Sequence, residues 1–354
     1  DRWYGDVSVG YQTPKYYEGE LSMNRLSKTD PMMVFANANN IEKTLRKSMN
    51  GWSGSWGDGY GQEQGIAAGY QHKWKKKEGT QEMKSQYTFT GNVAHDDNWN
   101  TSHAETENYL PNTAAMRSTS EQYHRNHELS PTLNADLHWA TDSLNSFTIR
   151  ASVEHHDKRS HSRQTVEQEE LNTSGYLPTL SQNVNKHGNG RTTSLSTTAM
   201  WDHYIKDGGL SGSVSLNYSD SKANNWTDRN VTSHIASLAS SKLNQSSTSP
   251  NSSLSTEAQC LFSKWLTKNW LMKAQYIFHY QRDRKDCDFM TDGIADAANS
   301  YRDRSTNHAH SLRVGSTFNF KPFQIIPNIY AKWQHERQDY QRGLLDTTAV
   351  RRQL

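Results

Sequence analysis

The chain has 354 residues, with 39 basic against 37 acidic side chains and a net charge of +2, a balance that makes no case for nucleic acid as a partner. Only 33% of residues are hydrophobic and mean hydropathy is −0.97, less apolar than a soluble globular domain usually is. Disorder does not fit either, because 11 Trp, 17 Tyr and 9 Phe with a near-neutral charge are the opposite of a disordered composition. A polar, aromatic-rich, near-neutral chain suits a transmembrane β-barrel, in which only the lipid-facing half of each strand must be apolar. No run of about 18 apolar residues exists to form a membrane-crossing helix.

Period-two alternation dominates the chain. Strands are expected first at 3–12, 16–27, 31–40, 61–75 and 81–95, where Tyr87, Phe89 and Val93 alternate with Gln86, Thr88, Thr90 and Asn92. The next fall at 130–141 and 146–160. There Leu133, Ala135, Leu137 and Trp139 alternate with Asn134, Asp136 and His138, and Phe147, Ile149, Ala151 and Val153 with Thr148, Arg150 and Ser152. Further strands are expected at 191–205, 210–228, 254–266, 270–286, 308–320 and 324–340, about thirteen in all. Leu210, Gly212, Val214, Leu216 and Tyr218 share one face, as do Met272, Ala274, Tyr276, Phe278 and Tyr280. Successive side chains of a strand point to opposite faces, so each run has an apolar and a polar side.

The connections alternate in length. Short turns are expected at Lys75–Thr80, Asp142–Asn145, Lys206–Gly209, Thr267–Asn269 and near Lys321 and Pro322. Between them, 161–190, 229–253 and 287–307 are rich in Ser, Asn, Asp and His and read as long loops, the two-rim pattern of outer-membrane barrels. Trp74, Trp139, Tyr204, Trp265, Trp270, Phe320 and Phe323 flank the short turns, and Tyr218, Tyr280 and Trp333 lie about eight to ten residues further up their strands. On tilted strands that separation spans roughly 20–25 Å, the height of an apolar band between two aromatic girdles. The expected fold class is therefore an all-β, antiparallel up-and-down transmembrane β-barrel, incomplete, with residues 1–354 forming part of a single outer-membrane barrel domain.

Candidate sites are sparse. Cys260 and Cys287 are the only cysteines, and unpaired thiols, one facing lipid and one in a loop, are favoured over a disulfide. The segment Asn50–Tyr60 is Gly- and Trp-rich and lacks phosphate-loop spacing; it reads as a flexible surface loop whose Trp52, Trp56 and Tyr60 could stack on a sugar or peptide ligand. Asn39 and Asn40 end a strand just before it, which allows a contact with a plug or loop, or turn chemistry. His155, His156 and His161, and His124 with His127, lack zinc-ligand spacing and read as solvated loop or lumen residues. Glu167, Glu169 and Glu170 form a run in an expected loop with no acid–base pairing. No nucleophile elbow occurs. No catalytic residue, metal site or cofactor is expected, and the chain is not expected to be an enzyme.

The segment Trp3–Asn40 resembles the start of the barrel in a family of outer-membrane β-barrel proteins from Bacteroidetes-type bacteria related to TonB-dependent receptors. The stretches that carry it are Gly10-Tyr11, Tyr17-Glu18-Gly19, Leu21–Leu26 and Ala36–Ile41, and the units LHWATDSLNSFTIRASVEH, MWDHYIKDGGLSGSVSLNYS and WLTKNWLMKAQYIFHYQ look like that family's strand–turn–strand units. The resemblance implies a plug and a small carboxypeptidase-regulatory-like domain upstream, and further strands downstream. An odd strand count also fits a piece of a larger barrel, whose open edges in lipid would leave backbone groups unpaired. The function this implies is the barrel part of a TonB-dependent receptor or transporter taking up a bulky surface nutrient. Outer-membrane lipid is its surroundings, and a periplasmic energy-transducing protein acts on it through the plug. The alternatives are a non-transporting structural or assembly barrel of the outer membrane and a secreted carbohydrate-binding β-sandwich.

Overall fold

The structure is a computed structural model. It describes residues 1–12, 16–40, 43–48, 51–56, 60–74, 85–108, 115–141, 144–235, 238–320 and 322–353, with the side chains at 12, 16, 43–48, 51–56, 60, 61 and 63 outside that description. In chain order the strands are β1 (Arg2–Gln12), β2 (Tyr16–Leu26), β3 (Met32–Asn39), β4 (Lys43–Ser48), β5 (Gly51–Trp56) and β6 (Tyr60–Lys73). There follow β7 (Gln86–Asn108), β8 (Met116–Ala140), β9 (Asn145–Asn172), β10 (Gly175–Ile205), β11 (Gly208–Ser233) and β12 (Ser241–Thr267). The last are β13 (Trp270–Thr291), β14 (Ile294–Ala295), β15 (Tyr301–Phe320), β16 (Phe323–Ile325), β17 (Asn328–Arg342) and β18 (Leu345–Gln353).

All but β4 and β5 belong to one 16-stranded sheet that runs in the order β1-β2-β3-β6-β7-β8-β9-β10-β11-β12-β13-β15-β17-β18, with β14 against β13 and β16 against β15. Every pairing is antiparallel. The sheet is not closed, since β1 and β18 end the path. This is the up-and-down arrangement of an incomplete barrel. A β-sandwich needs two sheets sharing a core. Here the only other sheet among the described residues is the β4–β5 ribbon, so the sandwich expectation is corrected.

The strands are much longer than the alternation suggests. The segments 161–190 and 229–253, expected as long loops, are largely the upper halves of β9, β10, β11 and β12, and Asn172 is joined to Gly175 by a tight turn. Most of 287–307 belongs to β13 and β15, and Asp292 and Gly293, both at positive φ (52° and 77°), make the tight hairpin turn between β13 and the short β14. Cys287 accordingly lies in β13, opposite Tyr301, and not in a loop. At a rise of ~3.3 Å per residue the 31 residues of β10 extend ~100 Å along the strand.

Polar side chains support this extension by bonding across strands. Asn224 Nδ2 donates to Asn189 Oδ1 at 2.8 Å and Thr248 Oγ1 to Asn224 Oδ1 at 3.0 Å. Arg117 Nε donates to Glu169 at 2.9 Å, so the acidic run of 167–170 is part of a strand ladder. Opposed polar pairs of this kind each contribute roughly 0.2–1 kcal/mol.

Glycine is required at the short turns. At Gly208, where the chain leaves the β10–β11 turn with Asp207 at φ 62°, an added Cβ would stand 2.2 Å from the Ser263 carbonyl oxygen. Gly65 makes room in the same way for Asn37 Oδ1, which lies 2.9 Å from that position.

Candidate functional site

The feature with functional meaning is a two-faced wall. Across six strands the pairing aligns Leu137, Ile149, Ala199, Val214, Ala258 and Phe278. A row on the opposite face aligns Asp136, Arg150, Thr198, Ser215, Glu257 and His279. The apolar row recurs through the lower part of each strand, and Phe89, Leu133, Ile149, Val214, Leu312 and Ile329 are all exposed. An uncovered apolar face built from a regular ladder has no partner among the described residues. Exposed patches larger than a few hundred Å² mark contact with a protein or a membrane.

The aromatic borders are sharper than the sequence suggests. By strand alternation Trp74, Trp139, Trp270, Phe320 and Phe323 lie on the apolar face beside the short turns, 36–73% exposed. Phe147 and Trp201 join them, since Trp139, Phe147 and Trp201 occupy one row across three strands. Tyr204 and Trp265 do not, because alternation puts them on the polar face: Leu210 pairs with His203, one residue before Tyr204, and with Phe262, three residues before Trp265. Nearness to a turn in sequence is blind to this parity. The upper border is on the apolar face as expected, with Tyr218, Tyr280 and Trp333. Amphipathic rings favour such interfaces because one end is apolar and the other wet.

The polar face carries charged pairs and hydroxyls. Arg150 Nε donates to Asp136 Oδ2 at 2.9 Å, His156 Nδ1 lies 3.1 Å from Glu128 Oε1, and Ser253 Oγ donates to Asp283 Oδ1 at 2.6 Å. Around Thr90, Asn134, Arg150, Ser152 and Thr198 it forms a shallow depression. A wall of this kind can line a water-filled lumen, and nothing in it matches an acid–base or nucleophile constellation among the described residues.

The expected site residues fall in separate places. Asn39 ends β3, opposite Glu18 and Glu63, and is 1% exposed, the most deeply buried large side chain among the described residues. Asn40 takes the turn role: its Oδ1 accepts from the Tyr17 backbone N–H at 2.7 Å while its own N–H donates to the Tyr17 carbonyl at 3.2 Å. Trp52 and Trp56 lie on β5, opposite Lys47 and Lys43, so the stretch read as a flexible loop includes one strand of a ribbon. Tyr60 opens β6 opposite Trp99. The side chains of these three aromatics lie outside the described residues. Cys260 and Cys287 are both free; Cys260 is exposed on the apolar face opposite Tyr276, and Cys287 is buried.

The histidines are redistributed by the strand register. His155 and His161 are in β9, on the parity of the apolar face but above the belt, and His155 Nδ1 contacts Thr193 Oγ1 at 2.8 Å. His127 meets His95, and His161 meets His187, each pair across neighbouring strands. The partners are 32 and 26 residues apart, so no local spacing could have revealed them. Among the described residues no group of three or more metal-ligating side chains converges.

No known protein family matches the chain, and neither does any curated protein. Among solved structures, the chain is similar to the FrpB iron transporter from Neisseria meningitidis (F3-3 variant), at 7% identity over 99% of this chain and 80% of that one, with a TM-score of 0.21. A superposition that loose carries no argument about this chain's function.

Proposed function

We propose that the chain forms part of the wall of an outer-membrane receptor or transporter barrel of the TonB-dependent type, which takes up a bulky nutrient and catalyses no reaction. The observation that supports this is the two-faced wall. One face presents an apolar belt edged by aromatics, the other is polar, and the strands run far beyond the belt at one rim only. The belt is the lipid-facing surface in this reading, the polar face lines a wet lumen, and the extended strands rise from the cell surface to meet the ligand. Asn40, partly exposed beside the buried Asn39 at the end of β3, is the candidate contact with a plug, and the β4–β5 ribbon with Trp52 and Trp56 is a candidate ligand contact. A periplasmic energy-transducing protein would act through the plug.

The test is fractionation followed by uptake. The protein, expressed in its native context, should sediment with outer membranes and resist carbonate extraction. Deleting it should abolish growth on one bulky nutrient, and deleting the energy transducer should have the same effect. A protein released by carbonate, or a deletion that changes envelope integrity but no uptake, would overturn the transporter reading.

A further inference from the structure

Above the belt, on the same face as its apolar side chains, His308 and His335 meet across strands with ring centroids 4.9 Å apart, and two further histidine pairs bring their ring nitrogens together. His161 Nδ1 of β9 lies 3.0 Å from His187 Nδ1 of β10, directly opposite in register, with ring centroids 4.4 Å apart. His95 Nε2 of β7 lies 3.3 Å from His127 Nδ1 of β8, with centroids 4.5 Å apart. In each pair a ring nitrogen of one imidazole is aimed at a ring nitrogen of the other. One of the two must then carry a proton if they bond only to each other.

The spacing suits a different occupant. Imidazole nitrogens bind transition metals at ~2.0–2.1 Å. With bonds of that length, donors 3.0 Å apart subtend about 94° at the metal and donors 3.3 Å apart about 107°. The first angle is that of adjacent positions in a square or octahedral site, and the second is tetrahedral. We propose that the two cross-strand pairs, His161 with His187 and His95 with His127, each chelate one divalent transition-metal cation, with water completing the coordination shell.

The surroundings fit this assignment. The Asp97 carboxylate, 8% exposed, faces His127 in register and lies two residues from His95. Both its oxygens are held by Arg125, with Nε donating at 2.8 Å, so its charge is compensated and the second pair's histidines stand as the free donors there. Side chains on a paired ladder are also fixed in register before the ion arrives, which lowers the cost of ordering them.

The untagged full chain, folded in detergent, should take up about two Ni²⁺ ions in a calorimetric titration. His187→Gln and His127→Gln should each remove about one ion, and the double variant both. His138→Gln, whose ring contacts Thr148 Oγ1 on the polar face, should remove none. Absence of uptake by the parent, or unchanged uptake in the double variant, would overturn the proposal. A second readout is independent of how the variants fold. Bound Cu²⁺ in the parent should show two nitrogen ligands per ion by electron paramagnetic resonance, and a single nitrogen or none would contradict the assignment.

Discussion

The lower and upper halves of the same strands are built on one backbone ladder but, on the function proposed above, answer to different solvents. In β11 the stretch Leu210–Tyr218 alternates apolar and polar, whereas Asp220–Ser233 continues the same pairing with β10 and β12 almost without apolar residues. In the lower half, the proposed lipid environment would leave the ladder as the one partner for each N–H and C=O. In the upper half water could take that role, and the ladder persists because polar side chains bond across it. Hydropathy alternation therefore marks the part of each strand that the proposed membrane would cover, and not where the strands end.

Substitutions that exchange the rules of the two halves should sharpen this contrast most. Val214→Arg places a charge in the middle of the apolar row and should cost about 2–4 kcal/mol in folding into lipid. Ser213→Arg, one residue away on the polar face, should change stability by no more than about 0.5 kcal/mol. Equal losses for the two, measured by urea titration in vesicles, would remove the distinction between the faces.

A smaller effect separates the turn rim from the extension. Gly208→Ala forces a Cβ against the Ser263 carbonyl at 2.2 Å and should cost about 1–3 kcal/mol, because only backbone can move away. Gly190→Ala, in the extension, meets nothing closer than the Lys222 carbonyl at 3.8 Å and should leave the unfolding midpoint nearly unchanged. A reversed order would contradict the packing at the β10–β11 turn.

The smallest effect is an acid dependence at the short-turn rim. Asp30, in the turn between β2 and β3, accepts hydrogen bonds from Thr29 Oγ1 and Tyr70 and lies 2.6 Å from His72 Nδ1. The Thr29 hydroxyl first, then His72, lower its pKa from the ordinary 3.8 to about 2. A carboxylate depressed in the folded state stabilises the fold above its ordinary pKa, and that contribution is lost as pH falls from about 4 towards about 2. Asp30→Asn should flatten the thermal midpoint across that window, and an unchanged acid slope would show that Asp30 has no part in it.

The sequence made the belt half legible and the upper half not. Leu133 to Trp139 and Leu210 to Tyr218 announce themselves because one face of the wall is apolar at every second position, as a lipid-facing strand would require. The stretch from His161 to Gly190 carries no such demand, so its Ser, Asn and Lys residues look like loop although they form β9 and β10. A local signal was present in Thr291-Asp292-Gly293-Ile294, where Asp-Gly between pairing residues marks a tight hairpin within a segment read as one loop. Tyr204 and Trp265 were misplaced because distance to a turn does not fix parity. The histidine pairs were out of reach altogether, since His95 and His127 come together only through the register of β7 and β8.

On the proposed function, the apolar face of the lower half lies in lipid while the upper half of the same strands stands in water. A spin-label scan along β11, one residue at a time from Gly208 to Ser233 in reconstituted vesicles, tests it most directly. Collision with oxygen should peak at every second position from Leu210 to Tyr218, and from Asp220 onward both faces should be open to a water-soluble nickel complex. Uniform water access along the whole strand would contradict the membrane assignment. Oxygen peaks continuing past Asp220 would contradict the division between the two halves.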